Sequence, residues 1–266
     1  MYLDQLESGL SVTENIQAIC FARDGYLRGE FSRLLSSLFN NYEKHTAIVR
    51  ALANKRIGLT RTDLVKAVGE KDGGSFTRTL DELIESGFLS AYRGYQKNQR
   101  GELYRLTDHY SLFYLTYLEK LGRSRSTEFT ELSSLPSWYS WAGYAFETVC
   151  LTHVKQIKHA LGISGISTTV SSFYHRGGAG NPGAQIDLLI ERRDATIHLC
   201  EAKFSKTPLP LTTGLAKDFR KKAGVFRSAT GSTDHLLYTL LTTFPPQGDI
   251  NNSEVDRVVT MDALFR

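Results

Sequence analysis

The chain has 266 residues, of which 41% are hydrophobic and 23% charged, a composition that excludes collagen-like, low-complexity and wholly disordered proteins. Its formal net charge of +4 is compatible with nucleic-acid binding but does not require it. The 3 cysteines are far apart and form no C-x-x-C pair, which argues against a disulfide framework or a structural zinc site and favours a cytoplasmic protein.

Residues 1–40 are predicted to form a helical segment. Ser11 and Glu14 have the spacing of a capping box, which predicts a helix start. The N-terminus lacks the basic and apolar regions of a secretory signal, and no apolar run approaches the ~20 residues of a membrane-spanning helix. We therefore expect no membrane partner. A second helix is predicted from Tyr26 to Phe39, with one apolar face made of Phe31, Leu34, Leu35 and Leu38.

Residues 41–121 are predicted to form a winged-helix domain, because a helix–turn–helix pattern precedes two β-like segments. Thr60 and Ser75 are the predicted caps of the second and third helices. The predicted elements are helices over 42–54, from Thr60 onward, over 75–86 and over 110–121, and strands over 88–93 and 103–106.

This domain carries basic side chains that suit DNA, but also acidic ones that do not. Asp81, Glu82 and Glu85 on the third helix would repel phosphate. Two interpretations therefore stay open, a DNA-contacting module and a protein–protein spacer. The candidate DNA contacts are Arg78, Arg93, Lys97, Arg100 and Arg105.

A Ser/Thr-rich segment, residues 122–136, is predicted to be the linker to a C-terminal domain over 137–266. The predicted fold class is α/β of the α+β type, and the C-terminal elements run in the order αβββαβ. They are a helix over 137–161, strands over 166–174, 184–190 and 196–204, a helix over 215–228 and a strand over 235–241.

Alternation along the second and third of these strands brings charged residues together. Gln185 and Asp187 share one face with Leu189, as Glu201 and Lys203 do with Leu199. A turn over 191–195 would set Gln185 near Glu201, with Asp187 on the adjoining diagonal. Two carboxylates and an ammonium would then meet, and a hard cation such as Mg²⁺ would offset the buried charge.

Asp187 followed by Glu201-Ala202-Lys203 resembles the motif of the PD-(D/E)XK nuclease superfamily, whose core has the same element order. Glu147 matches the acidic residue often found on that family's first helix. The resemblance covers about residues 137–242. It implies a phosphodiesterase that uses Mg²⁺ or Mn²⁺ and cleaves DNA.

The resemblance also implies roles for individual residues. Asp187, Glu201 and the Ala202 carbonyl would hold the metal, and Lys203 would position or deprotonate the attacking water. Glu147 would add a ligand, and Gln185 would bind the water or the phosphate. The alternative is a decayed nuclease core in which Lys203 only pairs with the two acids. Candidate DNA contacts on the following helix are Lys217, Arg220, Lys221 and Lys222.

The N-terminal residues carry a wider resemblance. Residues 2–6 and 11–16 are similar to the helical lid of an archaeal and bacterial family of AAA-type ATPases, in which a winged helix and a nuclease-like domain follow. No G-x-x-x-x-G-K-[ST] occurs in this sequence, so we do not expect nucleotide hydrolysis by the chain. The chain is then either a fragment of a longer ATPase or the partner of an ATPase in trans.

These patterns lead to one principal hypothesis and one alternative. The principal hypothesis is a cytoplasmic, Mg²⁺-dependent DNA endonuclease with a winged-helix DNA-binding module. A homodimer is a further expectation, since nucleases of this superfamily often act as dimers. The alternative is a catalytically inactive DNA- or protein-binding regulatory module of an ATPase.

Overall fold

The computed structural model describes residues 2–55, 57–96, 102–121, 128–178, 182–248 and 254–266. Lys97, Arg100 and residues 122–127 of the predicted linker lie outside these ranges. In the described part of the chain, no helix is both long enough and apolar enough to cross a membrane. The chain divides into two compact units, Met1–Ala91 with Leu103–Trp141 and Tyr92–Glu102 with Ala142–Arg266. Helices and two sheets occur together, so the mixed α/β class is confirmed.

The first unit begins with a short helix, α1 (Val12–Ile16), whose predicted capping box is confirmed. The Glu14 amide donates to Ser11 Oγ at 3.2 Å, and the Ser11 amide donates to Glu14 Oε2 at 2.7 Å. Each side chain thereby satisfies an amide that the helix leaves without a partner.

The second helix, α2 (Glu30–Leu38), is shorter than predicted, because a 3₁₀ turn occupies Tyr26–Arg28. Phe31 and Leu35 are buried as expected, but Leu38 is 52% exposed. The chain becomes extended at Phe39, whose buried ring stacks on His45 at 3.9 Å. Phe39 therefore takes the core position that the helical pattern assigned to Leu38.

Three helices and a small sheet follow: α3 (Tyr42–Ala53), β1 (Leu59–Thr60), α4 (Arg61–Val68), α5 (Gly74–Glu85), β2 (Leu89–Tyr92) and β3 (Leu103–Leu106). The sheet order is β1-β3-β2. Thr60 caps α4 as predicted, accepting from the Asp63 amide at 3.2 Å. The predicted Ser75 cap is wrong, since α5 begins at Gly74 and makes no side-chain cap bond. The Gly73 carbonyl at this end instead accepts from the Thr77 hydroxyl at 3.2 Å.

The remaining helices of the first unit form around aromatic side chains. They are α6 (His109–Phe113), a π-helical turn (Tyr114–Leu118), α7 (Glu119–Leu121) and α8 (Phe129–Ser134). The last of these lies within the predicted linker. Phe129 is buried and stacks on Phe21 at 5.5 Å. One apolar anchor therefore makes this Ser/Thr-rich stretch part of a folded core.

The helix predicted over 137–161 is two helices, α9 (Pro136–Thr152) and α10 (Val154–Ala160). The break is at His153, whose backbone leaves the helical region and whose ring Nδ1 lies 2.8 Å from the Val149 carbonyl. Such local side-chain bonding to the backbone competes with the regular helical pattern.

The second unit is built on the strands β4 (Thr168–His175), β5 (Ala184–Arg192), β6 (Thr196–Lys203), β7 (His235–Thr242) and β8 (Arg257–Thr260), with α11 (Thr213–Thr230) between β6 and β7. The sheet order follows the chain; β4, β5 and β6 are antiparallel, and β6, β7 and β8 are parallel. β8 and the 3₁₀ turn after it, Met261–Phe265, were not predicted.

The sheet buries both of its faces. On one face, here the α9 face, Leu188 and Cys200 pack with Phe146 and Cys150. On the other, the α11 face, the buried cluster consists of Phe173, Ala184, Ile186, Leu189, Ile197, Leu199, Ala223, Val225, Phe226 and Leu236.

The register between β5 and β6 differs from the predicted one. Arg192 pairs with Thr196 and Leu188 with Cys200, so only residues 193–195 form the turn. The predicted turn over 191–195 is therefore wrong. Ala195 takes a left-handed conformation, φ 56°, as the last residue of a three-residue hairpin turn often does. In the observed register Leu188, rather than Ile186, stands opposite Cys200, and the described pairing ends there.

A β-bulge interrupts β5 at the same place. Ser171 pairs with Leu189 and Phe173 with Ile186, so two steps along β4 match three along β5. Ile186 and Leu189 consequently pack on the same face, although strict alternation would separate them. The bulge re-aims the side chains near Asp187, a use that bulges often have beside functional sites.

Candidate active site

Asp187 and Gln185 lie at the N-terminal half of β5, beside α11. Gln185 Nε2 donates a hydrogen bond to Asp187 Oδ1 at 2.5 Å. Both residues border a cavity of about 320 Å³ on this side of the sheet. The cavity is lined by Gly183, Ala184, Gln185, Asp187, Asp218, Lys221 and Lys222.

Glu201 is the buried charge of the group, with 8% of its surface exposed. Lys203 Nζ lies 2.9 Å from one carboxylate oxygen, Oε1, and Lys222 Nζ lies 2.5 Å from the other, Oε2. A buried carboxylate needs such partners, because desolvation otherwise makes its charge costly. Both oxygens of Glu201 are thus held by ammonium groups from two different elements, β6 and α11.

Lys203 is surrounded by negative charge. Burial alone would lower the pKa of its ammonium, but Glu201 counteracts this through its charge and its hydrogen bond, and Asp218 and Asp187 add to the effect. The pKa of Lys203 is raised as a result. Lys203 therefore keeps its proton at neutral pH, which suits charge stabilisation or water positioning better than deprotonation of a water.

Glu147 lies on α9, on the opposite side of the sheet from α11. Its neighbours Phe146 and Cys150 belong to the α9-face cluster. Burial raises the pKa of the Cys150 thiol to about 12, and the Glu147 charge adds to this rise. Among the described residues that line the cavity beside Asp187, Glu147 does not occur. Ala202 lies between Glu201 and Lys203, and its side chain packs against the same α9-face cluster.

The basic residues of α11 have separate surroundings. Lys217 is exposed, and Arg220 pairs with Glu254 at 3.0 Å on the surface. Lys221 borders the cavity beside Asp187 and also a second cavity of about 540 Å³ with His175 and Pro182.

Sequence reasoning missed Lys222 and Asp218 as neighbours of the acidic pair. The available signal was helical spacing: Asp218 and Lys222 are four residues apart and flank the buried residues Phe219, Ala223 and Phe226. The basic run 220–222 suggested an exposed charged face, whereas Lys222 within it is half-buried.

The candidate DNA contacts nearer the N-terminus are less uniform than predicted. Arg78 is exposed on α5 and shares a cavity with Lys44, Glu82 and Glu85. Arg93 pairs with Glu102 at 3.0 Å. Arg105 is only 4% exposed, so its prediction as a DNA contact is wrong.

The donor set suits only one kind of metal. In the described ranges, no three His, Cys, Asp or Glu side chains are grouped so as to hold an ion. Asp187 and Glu201 are carboxylates on neighbouring strands that both act on Lys203, and Mg²⁺ binds through one or two carboxylates while keeping several waters. A hard, hydrated cation therefore fits these residues, whereas a zinc-type site does not.

Comparison of the chain with family models, with curated proteins and with solved structures gives no match. What the chain does must therefore be inferred from the geometry of these residues.

Proposed function

We propose that the chain is a DNA endonuclease that requires Mg²⁺ or Mn²⁺. In this proposal the first unit contains a winged helix and the second a PD-(D/E)XK-like domain. One observation carries the proposal: Lys203 lies 2.9 Å from Glu201 and is also close enough to Asp187 to be influenced by its charge. The cavity beside Asp187 also presents Lys221, for which the described residues provide no ion pair.

Each residue has a role that follows from its surroundings. Asp187 and Glu201 would hold the cation, together with the Ala202 carbonyl. When bound, such a cation polarises a phosphoryl oxygen and lowers the pKa of a bound water. Lys203, held in its charged form by nearby carboxylates, would stabilise the negative charge that develops on the phosphate. Gln185, which already donates to Asp187, would orient that carboxylate.

The experiment is cleavage of plasmid, single-stranded and branched DNA by the whole chain in Mg²⁺ or Mn²⁺. We expect Asp187→Asn and Lys203→Met each to lower the cleavage rate by at least about 100-fold, the scale of losing one electrostatic group that stabilises the transition state. Asp194→Asn is the matched control. Asp194 lies in the turn at the other end of the same hairpin, where it pairs with Arg192.

Cleavage should be lost on chelation of the metal and should survive in the Asp194 variant. Cleavage that persists in Asp187→Asn would identify a contaminating nuclease. If none of the DNA substrates is cut in either metal, the endonuclease proposal fails.

A second candidate function has an observation of its own. Lys203 and Lys222 already satisfy both oxygens of Glu201, as expected of a metal-free ion network in a catalytically inactive domain. On this interpretation the chain is a DNA- or protein-binding regulatory module of an ATPase. The ATPase would be either an upstream part of a longer chain or a separate partner protein. Retained, salt-dependent DNA binding with no Mn²⁺ uptake in calorimetry would favour it.

A further inference from the structure

Lys222 contacts the acidic pair from outside the Glu-x-Lys motif. It comes from α11, its side chain is 22% exposed, and its ammonium lies 2.5 Å from Glu201 Oε2. Its described contacts are with this carboxylate alone. Lys203 also contacts Glu201, but it belongs to the same strand, whereas Lys222 approaches from a helix that also brings Lys221 to the cavity beside Asp187.

A cation and Lys222 need the same atoms. A divalent ion bound by Glu201 uses the carboxylate oxygens that the ammonium groups now occupy, and it also repels positive charge. Lys222 borders the same cavity as Asp187 and Lys221. An ammonium displaced from Glu201 would therefore remain at the cavity wall, next to a second lysine, where a phosphate could receive both.

We propose that Lys222 is a positioning residue that exchanges partners: it holds Glu201 in the metal-free protein and turns to a substrate phosphate when a divalent cation binds. The proposal rests on the metal-dependent function above. It assigns to Lys222 the task of linking cation binding to DNA binding. In this role Lys222 weakens cation binding when no DNA is bound. When the cation is bound, Lys222 strengthens DNA binding.

The first experiment measures Mn²⁺ binding to the whole chain by titration calorimetry. We expect Lys222→Met to bind Mn²⁺ about tenfold more tightly than the wild type, a ratio equivalent to about 1.4 kcal/mol. Lys155→Met is the matched control, because it removes the same charge from an exposed position on α10 that does not line the cavity and makes no described contact with Glu201. Its Mn²⁺ affinity should stay within about twofold of the wild type. Lys222→Gln, which keeps a hydrogen-bond donor but no charge, should behave like Lys222→Met.

The second experiment measures binding of a short DNA duplex against salt concentration, with the duplex checked for intactness. A lysine that contacts phosphate contributes about one to the slope of log K against log salt. With saturating Mn²⁺, we expect Lys222→Met to reduce this slope by about one. In a chelator, the slopes of the wild type and of Lys222→Met should agree.

The outcomes separate this proposal from the one on which it rests. If the wild type binds Mn²⁺ and Lys222→Met binds it equally or more weakly, the partner exchange is wrong while the metal site stands. An unchanged slope at saturating Mn²⁺ overturns the transfer to phosphate. If no variant binds Mn²⁺, the metal-dependent function itself fails, and the role of Lys222 fails with it.

Discussion

His198 is a neutral histidine in the interior of the second unit. It is 1% exposed, and its Nδ1 lies 2.9 Å from Thr239 Oγ1, while its Nε2 has no partner in the described structure. Burial, followed by the charges of Arg192 and Arg257, lowers the pKa of His198 from 6.5 to about 4. The unfolded chain therefore binds a proton at this residue at a higher pH than the folded chain does. Folding stability is unaffected above pH 6.5 and is lost as the pH falls from there towards 4.

This titration predicts a pH-dependent difference between the wild type and His198→Leu. Between pH 6.5 and 4, the free energy of unfolding of the wild type should fall relative to that of the variant by at most about 1.4 kcal/mol for each pH step of one. Urea denaturation at a series of pH values measures this difference. His235→Gln, which replaces an exposed histidine at the start of β7, is the comparison variant. Parallel pH profiles for the wild type and His198→Leu would contradict the prediction.

The β5–β6 hairpin depends on a residue that does not favour its own conformation. Ala195 is left-handed, with φ 56°, which places a Cβ atom too close to the backbone. Glycine has no such penalty, although it also gives the unfolded chain more freedom. The two effects oppose each other. The relief of backbone strain in the folded chain is larger than the cost of the added freedom in the unfolded chain.

We therefore expect Ala195→Gly to stabilise the protein by up to about 1.6 kcal/mol, the difference between a left-handed penalty of about 1–2 kcal/mol and an unfolded-state cost of about 0.4–1 kcal/mol. The same change at Ala229, exposed within α11, should instead destabilise it by about 0.5–1 kcal/mol. Thermal unfolding of the two variants compares the signs. An equal loss of stability in the two glycine variants would show that the turn at Ala195 carries no strain.

Local signals predicted the elements well, because their causes are local. The caps at Ser11 and Thr60 depend on residues three positions apart, and both are found in the structure. The strands β5 and β6 also follow from side-chain alternation, and β7 follows from a continuous apolar run. What failed was the pairing: the turn at Ala195 and the bulge in β5 both shift the register. Neither has a sequence signal, since alanine seldom takes the left-handed conformation and strict alternation assumes an uninterrupted ladder.

The candidate site was predicted only in part, because some of its residues have local sequence signals and others come together only through tertiary packing. Asp187, Glu201 and Lys203 were identified by their spacing along two strands. Lys222 is twenty-one residues beyond Glu201 in the sequence and belongs to α11. Its contact with Glu201 depends on how this helix packs against the sheet. Such tertiary contacts are set by shape complementarity over many residues, which a motif does not encode.

At the scale of the whole molecule, the segment between β2 and β3 belongs to the second unit. The Tyr95 amide donates to the Ser172 carbonyl at 2.7 Å, and the Ser172 amide donates to the Arg93 carbonyl at 2.9 Å. The Tyr95 ring meets Phe226 edge-on at 4.8 Å. Residues 93–95 of this segment therefore lie alongside β4, and Tyr95 packs against the α11-face cluster.

We expect Tyr95→Ala to destabilise the second unit by about 1–3 kcal/mol, less than a fully buried aromatic would, because Tyr95 is half-buried. Tyr95→Phe keeps the ring and should have little effect. Hydrogen exchange in β4 and β5 reports on this unit. Tryptophan fluorescence reports on the first unit, since both tryptophans, Trp138 and Trp141, belong to it. Unchanged exchange protection in Tyr95→Ala would contradict the assignment.

The placement of Tyr92–Glu102 means that no single cut separates the two units. A piece starting at Ala142 would lack the backbone partners of Ser172 and would leave the outer side of β4 uncovered. Open strand edges pair readily with other chains. Self-association of such a truncated piece would then reflect the missing eleven residues, and it would say nothing about the oligomeric state of the intact protein.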